Sequence, residues 1–121
     1  MHVAVRKAGG VVIVDMTGKL LFGVGDEILK NVMNELLAEG WKKILLNLSA
    51  VTAADSAGVG ELVASLKVAR KFNASLKLLN LNERVKRSLH LSQLLPMFEI
   101  YEEEKTALAH FESGSGASPA A

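Results

Sequence analysis

One stretch, residues 44–63 with the sequence ILLNLSAVTAADSAGVGELV, constrains the fold most strongly. It opens with an apolar run from Ile44 to Leu48, and such a short branched run is typical of a strand buried on both faces of a parallel sheet. The small and polar residues 49–54 predict a loop. From Val59 onward the apolar positions follow helical spacing. The stretch therefore predicts a strand, a loop and a helix in immediate succession.

Two polar residues, Asp55 and Ser56, mark the predicted start of this helix. Both are favourable N-cap residues because their side-chain oxygens can accept hydrogen bonds from the first free backbone N–H groups. A serine at the carboxyl end of a central strand also lies at the edge where open α/β sheets usually carry their functional residues. The sequence therefore leaves two interpretations of Ser56 open, a helix cap or a functional hydroxyl.

Two glycines, Gly58 and Gly60, occupy the first turns of the same helix. Each costs about 1 kcal/mol relative to alanine inside a helix, so their presence asks for a reason. One interpretation is that they leave a flat surface on which the backbone of another protein can lie closely. The other is that they only relieve crowding against a neighbouring strand.

The composition excludes several classes of function. A chain of 121 residues with 50% hydrophobic residues predicts one globular domain with its own core. The absence of cysteine excludes disulfides, thiolate metal sites and cysteine nucleophiles. A formal net charge of +1 gives no electrostatic basis for binding nucleic acid. Because no signal peptide and no apolar run of about 20 residues is found, we expect a cytoplasmic protein that does not insert into membranes.

The first 40 residues predict a hairpin, a loop and a helix. Gly9 and Gly10 separate two β-branched runs, so the first strand pair should be antiparallel. Residues 18–25 predict a loop bounded by glycines, which lacks the third glycine of a dinucleotide fingerprint. Asp26 is the predicted cap of the next helix, and Gly40 should end that helix.

The remainder of the chain alternates strands and helices. The predicted elements are a helix to about Phe72, a strand Leu76–Leu81, a helix Glu83–His90 capped by Asn82, a strand Phe98–Tyr101, and a final helix with Ala107, Leu108 and Phe111 on its apolar face. The complete order is β-β-α-β-α-β-α-β-α. It predicts a single α/β domain over residues 1–111, with a mixed, mainly parallel sheet, an antiparallel first strand and about four helices. Residues 112–121 are predicted to be a flexible tail.

A family resemblance is carried by the segment LLNLSAVTAADSAGVGEL. It resembles the motif of STAS domains, the anti-sigma factor antagonists of bacteria, in which an apolar strand with Asp or Asn and then Leu leads through a loop to Asp-Ser-x-Gly-Leu-Gly at a helix start. The matching residues are Asn47, Leu48, Asp55, Ser56, Gly58 and Gly60, while Val59 replaces the usual leucine. The resemblance extends over roughly residues 3–111.

The resemblance implies a binding module that is controlled by phosphorylation. The serine after the aspartate is phosphorylated in that family, and it corresponds to Ser56. The unmodified protein would bind its partner through Asp55, Ser56, Ala57, Gly58, Val59 and Gly60. The implied partner is a serine kinase that is also an anti-sigma factor and that supplies the ATP site, while a serine phosphatase reverses the modification. No metal, cofactor or catalytic activity is implied for this chain.

Two alternatives remain open. The family pattern commonly has an acidic residue after Gly-x-Leu, whereas this chain has Leu21 there. This difference keeps open the role of an unphosphorylated STAS scaffold in a stress-signalling or lipid-transport assembly. The other alternative is a hydrolase, since Ala54 to Gly58 is one glycine short of a nucleophile elbow. No motif ties His90 or His110 to an acid, which argues against a catalytic triad.

Overall fold

The computed structural model describes residues 1–112. The strands are β1 (His2–Ala8), β2 (Val11–Leu20), β3 (Lys43–Ala54), β4 (Ser75–Leu79) and β5 (Ile100–Tyr101). The helices are α1 (Gly25–Ala38), α2 (Ser56–Lys71), α3 (Glu83–Leu91) and α4 (Glu104–Glu112), and a short 3₁₀ helix spans Leu95–Met97.

The five strands form one sheet in the order β1-β2-β3-β4-β5. β1 and β2 are antiparallel and are joined by a tight turn in which Gly9 has a φ of +61°. All later neighbours in the sheet are parallel. The predicted mixed, mainly parallel sheet with an antiparallel first strand is therefore confirmed, as are the four helices.

The sheet separates two apolar clusters. On one face, α1, α2 and α3 pack against alternate residues of the central strands, such as Val14 on β2 and Leu46 on β3. On the other face, α4 contributes Ala107 and Phe111 to a smaller cluster with Ile13 and Leu45. Since Leu45 and Leu46 are both fully buried, β3 is covered on both faces, as its continuous apolar sequence predicts.

The central strands extend further than the sequence predicts. The loop expected at residues 49–54 is wrong, because β3 continues to Ala54. Its last residues pair in parallel with the end of β2, which itself includes Gly18–Leu20 of the other predicted loop. The extension has irregular register at two places and contains Gly18, which has a φ of +119°. Such bulges bend a strand without ending it, so the small residues mark a bend rather than a loop.

Several predicted boundaries also change. The strand expected at Leu76–Leu81 ends at Leu79, and the one expected at Phe98–Tyr101 contains only Ile100 and Tyr101. The predicted cap of α3 is confirmed, because the side chain of Asn82 accepts from the backbone N–H of Arg84 and Val85. α4 includes Glu112, which was predicted to be in the tail. Residues 113–121, the remainder of that predicted tail, lie outside the described residues.

Two ion-pair clusters hold the carboxyl-terminal part of the chain on the sheet. Arg6 of β1 donates to Asp15 of β2 and to Glu104 at the start of α4, with a shortest distance of 2.6 Å to each. Lys77 of β4 is buried, with 1% of its side chain exposed, and its Nζ lies 2.5 Å from Glu99 Oε1. Each cluster joins residues from distant parts of the chain.

Candidate functional site around Ser56

Asp55 links the end of β2, the segment that follows β2 and the start of α2. It is the N-cap of α2, and its Oδ1 accepts from the backbone N–H of Gly58 at 2.9 Å. Its Oδ2 accepts from the backbone N–H of Phe22 at 3.0 Å, and its own N–H donates to the carbonyl of Leu20 at 3.4 Å. The hydrogen bonds from Phe22 and Gly58 hold the pKa of the Asp55 carboxyl below its usual value. Asp55 therefore connects the end of β2 to the start of α2 through hydrogen bonds of its carboxylate and its backbone N–H.

Ser56 is the first residue of α2 and is exposed. The cap position is filled by Asp55, so the interpretation of Ser56 as the helix cap is wrong. The Ser56 hydroxyl instead lies at the amino end of a 16-residue helix, where free backbone N–H groups and the helix dipole favour negative charge.

Gly58 allows α2 to approach the end of β2. A Cβ added at Gly58 would lie 2.0 Å from the carbonyl oxygen of Leu20, a distance that no real Cβ contact has. Gly25, the first residue of α1, meets the same stretch, because its Cβ would lie 2.6 Å from the carbonyl oxygen of Lys19. Two helices therefore begin against the end of one strand, and a glycine makes each contact possible. For Gly58 this supports relief of crowding rather than a flat outer surface.

The six predicted contact residues divide into an outer and an inner group. Ser56 and Gly60 are exposed, Asp55 and Ala57 are half-buried, and a Cβ added at Gly60 would meet no other atom within 4 Å. Gly58 is buried against β2, and Val59 is 4% exposed within the core. A partner can thus reach the outer group, while the inner two residues support it from below.

Three exposed apolar side chains lie in the connection that Phe22 joins to Asp55, and the sequence alone did not identify them as part of the site. In the segment between β2 and α1, Phe22 is 78% exposed, Val24 is 62% exposed and Leu21 is 36% exposed. Three of the six large apolar residues that are exposed among residues 1–112 lie here. The signal was a group of apolar residues in a glycine-bounded connection without strand or helix periodicity.

This connection is well anchored. The predicted cap Asp26 is wrong, because Val24 occupies the cap position and Asp26 lies inside α1. The Asp26 side chain nevertheless accepts from the backbone N–H of Gly23 at 2.8 Å, while its own N–H donates to the carbonyl of Leu21 at 3.2 Å. With the bond from Phe22 to Asp55, these contacts fix the path of the backbone.

The charges on the two flanks of Ser56 differ. On the α1 side, burial raises the pKa of Glu61 on α2, and Lys30 and Asp26 of α1 are close enough to influence it. On the α3 side, a cleft of about 420 Å³ is lined by Glu83, Arg84, Arg87 and Ser88 together with the end of β3. The flank that adjoins α3 therefore has two basic side chains and one acidic side chain.

The hydrolase alternative gains no support from the positions of the histidines. His110 is on α4, which covers the other face of the sheet from α2, and its Nδ1 lies 3.0 Å from the carbonyl oxygen of Thr106. His90 is exposed in the last turn of α3. Among residues 1–112 no three or more His, Cys, Asp or Glu side chains are grouped to hold a metal ion. None of the helices in this range is long and apolar enough to cross a membrane.

Curated relatives are named as anti-sigma factor antagonists. A Thermotoga neapolitana protein, provisionally so named, is 38% identical over 79 residues, which are 65% of this chain and 70% of the relative. The anti-sigma F factor antagonist of Paenibacillus polymyxa is 26% identical over 103 residues, or 85% of this chain and 88% of the relative.

Solved structures share the fold. A provisionally named anti-sigma factor antagonist from Thermotoga maritima superposes with a TM-score of 0.83 and 29% identity, covering 91% of this chain and 94% of that one. The antagonist SpoIIAA in its unphosphorylated form gives a TM-score of 0.76 at 18% identity, covering 93% and 97%. The phosphorylated form of SpoIIAA from Bacillus gives 0.70 at 18% identity, covering 91% and 99%. The STAS domain model matches residues 2–107, and the chain therefore belongs to the STAS domain family.

Proposed function

We propose that this protein is an anti-sigma factor antagonist whose binding activity is switched off by phosphorylation of Ser56. The observation that carries the proposal is an exposed serine at the first position of α2, directly after the Asp55 cap. The names of the relatives support the antagonist role, and the solved phosphorylated form of SpoIIAA supports control by a phosphoryl group.

The unmodified site has the surface properties of a protein interface. Ala57 and Gly60 present little side chain around Ser56, so a partner backbone can come close. The proposed partner is an anti-sigma factor that is also a serine kinase. The kinase supplies the ATP site, and binding to this protein sequesters it and releases a sigma factor for transcription in the cytoplasm.

A phosphoryl group on Ser56 would change the interface more than the fold. It adds about −1.5 to −2 charge at pH 7. The amino end of α2 tolerates that charge, because the helix dipole and free N–H groups favour an anion there. A partner that fits closely around Ser56 and Ala57 would instead meet a bulky anion beside the Asp55 carboxylate. We therefore expect the domain to stay folded while the complex dissociates, until a serine phosphatase removes the group.

Phosphorylation in vitro tests this proposal. The kinase is purified from the host by following transfer of radioactive phosphate from ATP to this protein. We expect one phosphate per chain, on Ser56, and none on a Ser56→Ala variant. Because Asp55 provides the cap, Ser56→Ala should leave the melting temperature nearly unchanged. Phosphate on Ser49 or Thr52 would refute the site assignment.

The same experiment separates the proposal from the scaffold alternative, which the replacement of the usual acid by Leu21 keeps open. A scaffold would bind its partner without acquiring phosphate. Failure to detect any kinase activity toward Ser56 in the host lysate, together with stable binding to another protein, would favour the scaffold.

A further inference from the structure

We propose that Leu21, Phe22 and Val24 form an apolar docking surface that enters a recess on the kinase that modifies Ser56. We call these three side chains the loop patch. This inference rests on the proposed function, because it names the surface chemistry of the same partner.

The exposure of the loop patch requires an explanation. Phe22 is the most exposed large apolar residue among residues 1–112, at 78%, and Val24 follows closely in sequence at 62%. Single exposed apolar residues are ordinary on a protein surface, whereas neighbouring ones commonly mark a binding site. The patch also contains the aromatic side chain of Phe22, and phenylalanine is among the residue types that are enriched in the buried core of protein interfaces.

The loop patch is continuous with the surface around Ser56. The Phe22 N–H donates to Asp55 Oδ2 at 3.0 Å, and Asp55 is the residue directly before Ser56. A partner large enough to enclose the Ser56 hydroxyl in a kinase site therefore also reaches Phe22.

The loop patch is held in place before binding. The Asp55 carboxylate accepts a hydrogen bond from the Phe22 N–H, and the Asp26 carboxylate accepts one from the Gly23 N–H. Gly23 also adopts a φ of +92°, a backbone conformation that residues other than glycine rarely adopt. A surface that is already ordered loses little conformational entropy when it binds. These contacts therefore suit a rigid apolar projection rather than a segment that orders on binding.

The chemistry of the patch defines the partner's side of the contact. Leu21 stands where the family pattern commonly has an acid, so a basic residue on the partner would have no counterpart there. The matching partner surface is an apolar recess that is large enough for a phenyl ring and two branched side chains. Such a recess would discriminate this protein from antagonists that have an acid at this position, because an acid would be buried there without a partner.

A pair of matched variants tests the inference. Phe22→Ser removes the most exposed ring of the patch and keeps the backbone N–H that Asp55 accepts. Phe72→Ser is the control, since Phe72 is also an exposed phenylalanine and lies directly after α2, about 24 Å along the helix axis from Ser56. The probe is the purified kinase that phosphorylates Ser56, and affinity is measured by calorimetry without ATP. Melting curves of both variants confirm that they are folded.

We expect Phe22→Ser to weaken the complex about 10- to 100-fold, and Phe72→Ser to change it less than about twofold. Equal affinity of wild-type protein and Phe22→Ser would overturn the docking role, while Ser56 phosphorylation would still stand. Sedimentation supplies a second test. A wild-type dimer that Phe22→Ser converts to a monomer would show that a second copy covers the patch, and this too would overturn the proposal.

Discussion

The contact between Gly58 and β2 makes a quantitative prediction. Where space allows, replacing a helical glycine by alanine stabilises a protein by up to about 1 kcal/mol. Here the new methyl group would lie 2.0 Å from the Leu20 carbonyl oxygen and 2.9 Å from the Leu20 carbonyl carbon and Cγ. The oxygen would have to move by more than an ångström to reach ordinary contact. Because that atom is backbone at the end of a buried strand, it has little freedom to move.

The expected result is a large loss of stability. Overpacking of a core usually costs about 1–3 kcal/mol and occasionally more, and this contact is at the severe end. After subtraction of the helix-propensity gain, we expect Gly58→Ala to lower the free energy of unfolding by about 2 kcal/mol or more. For a domain of this size, the melting temperature should fall by about 10 °C or more.

Thermal and urea unfolding, followed by circular dichroism, measure this difference. Gly60→Ala is the control on the same helix, where nothing lies within 4 Å of the added Cβ. It should be as stable as the wild-type protein, or more stable by up to about 1 kcal/mol. If Gly58→Ala were as stable as Gly60→Ala, the close approach of α2 to β2 would be wrong.

Three further predictions concern other parts of the fold. The buried Ser65 hydroxyl has no hydrogen-bond partner among residues 1–112, so Ser65→Ala should raise the free energy of unfolding by about 1 kcal/mol. Urea unfolding that gives a lower free energy for this variant than for the wild-type protein would contradict this. Burial and the hydrogen bond to Glu99 raise the pKa of Tyr101, the only tyrosine, to about 12; absorbance titration should find that midpoint, and a midpoint near 10 in folded protein would count against the contact. Hydrogen bonds from Arg6 lower the pKa values of Asp15 and Glu104. The ion pairs therefore stabilise the fold fully above the ordinary pKa values of 3.8 and 4.5, and this stabilisation is lost as the pH falls from those values through the lowered ones. Arg6→Leu should flatten this acid dependence of the melting temperature, and an unchanged slope would argue against the ion pairs.

The architecture was predictable because each element has a strong local signal. The apolar run Ile44–Leu48 and the helical spacing after Val59 identified β3 and α2, and Asn82 identified the start of α3. The extent of β3 was not predictable in this way. Residues 50–54 are in a strand because they pair with the end of β2, and pairing between distant segments leaves no mark in the composition of either one.

The candidate site was only partly predictable for the same reason. The motif placed Asp55 and Ser56 at the start of a helix, but it could not show which of them is the cap. The hydrogen bond between Phe22 and Asp55 joins residues that are 33 positions apart, so the loop patch could be assigned to the site only from the fold. The sequence likewise left open whether Gly58 faces outward or inward, since either orientation permits glycine.

The buried charge of Lys77 is a further feature that the sequence does not predict. Lys77 lies within a predicted apolar strand, but its side chain is 1% exposed and pairs with Glu99, which follows α3 in the chain. Burial would raise the pKa of Glu99, yet the hydrogen bonds from Lys77 and Tyr101 outweigh it and hold the pKa below its usual value. The partner of a buried lysine comes from the tertiary structure, which a single strand does not reveal.

The most direct test of the central claim compares the affinity of two forms of the protein for the same kinase. Unmodified protein and protein phosphorylated at Ser56, verified by mass spectrometry, are titrated into the purified kinase in a calorimeter, and both are melted alone. We predict tight binding of the unmodified form, at least about 100-fold weaker binding of the phosphorylated form, which corresponds to about 2.7 kcal/mol, and nearly equal melting temperatures. Equal affinities, or a phosphorylated domain that has unfolded, would contradict the account of Ser56 as an exposed switch.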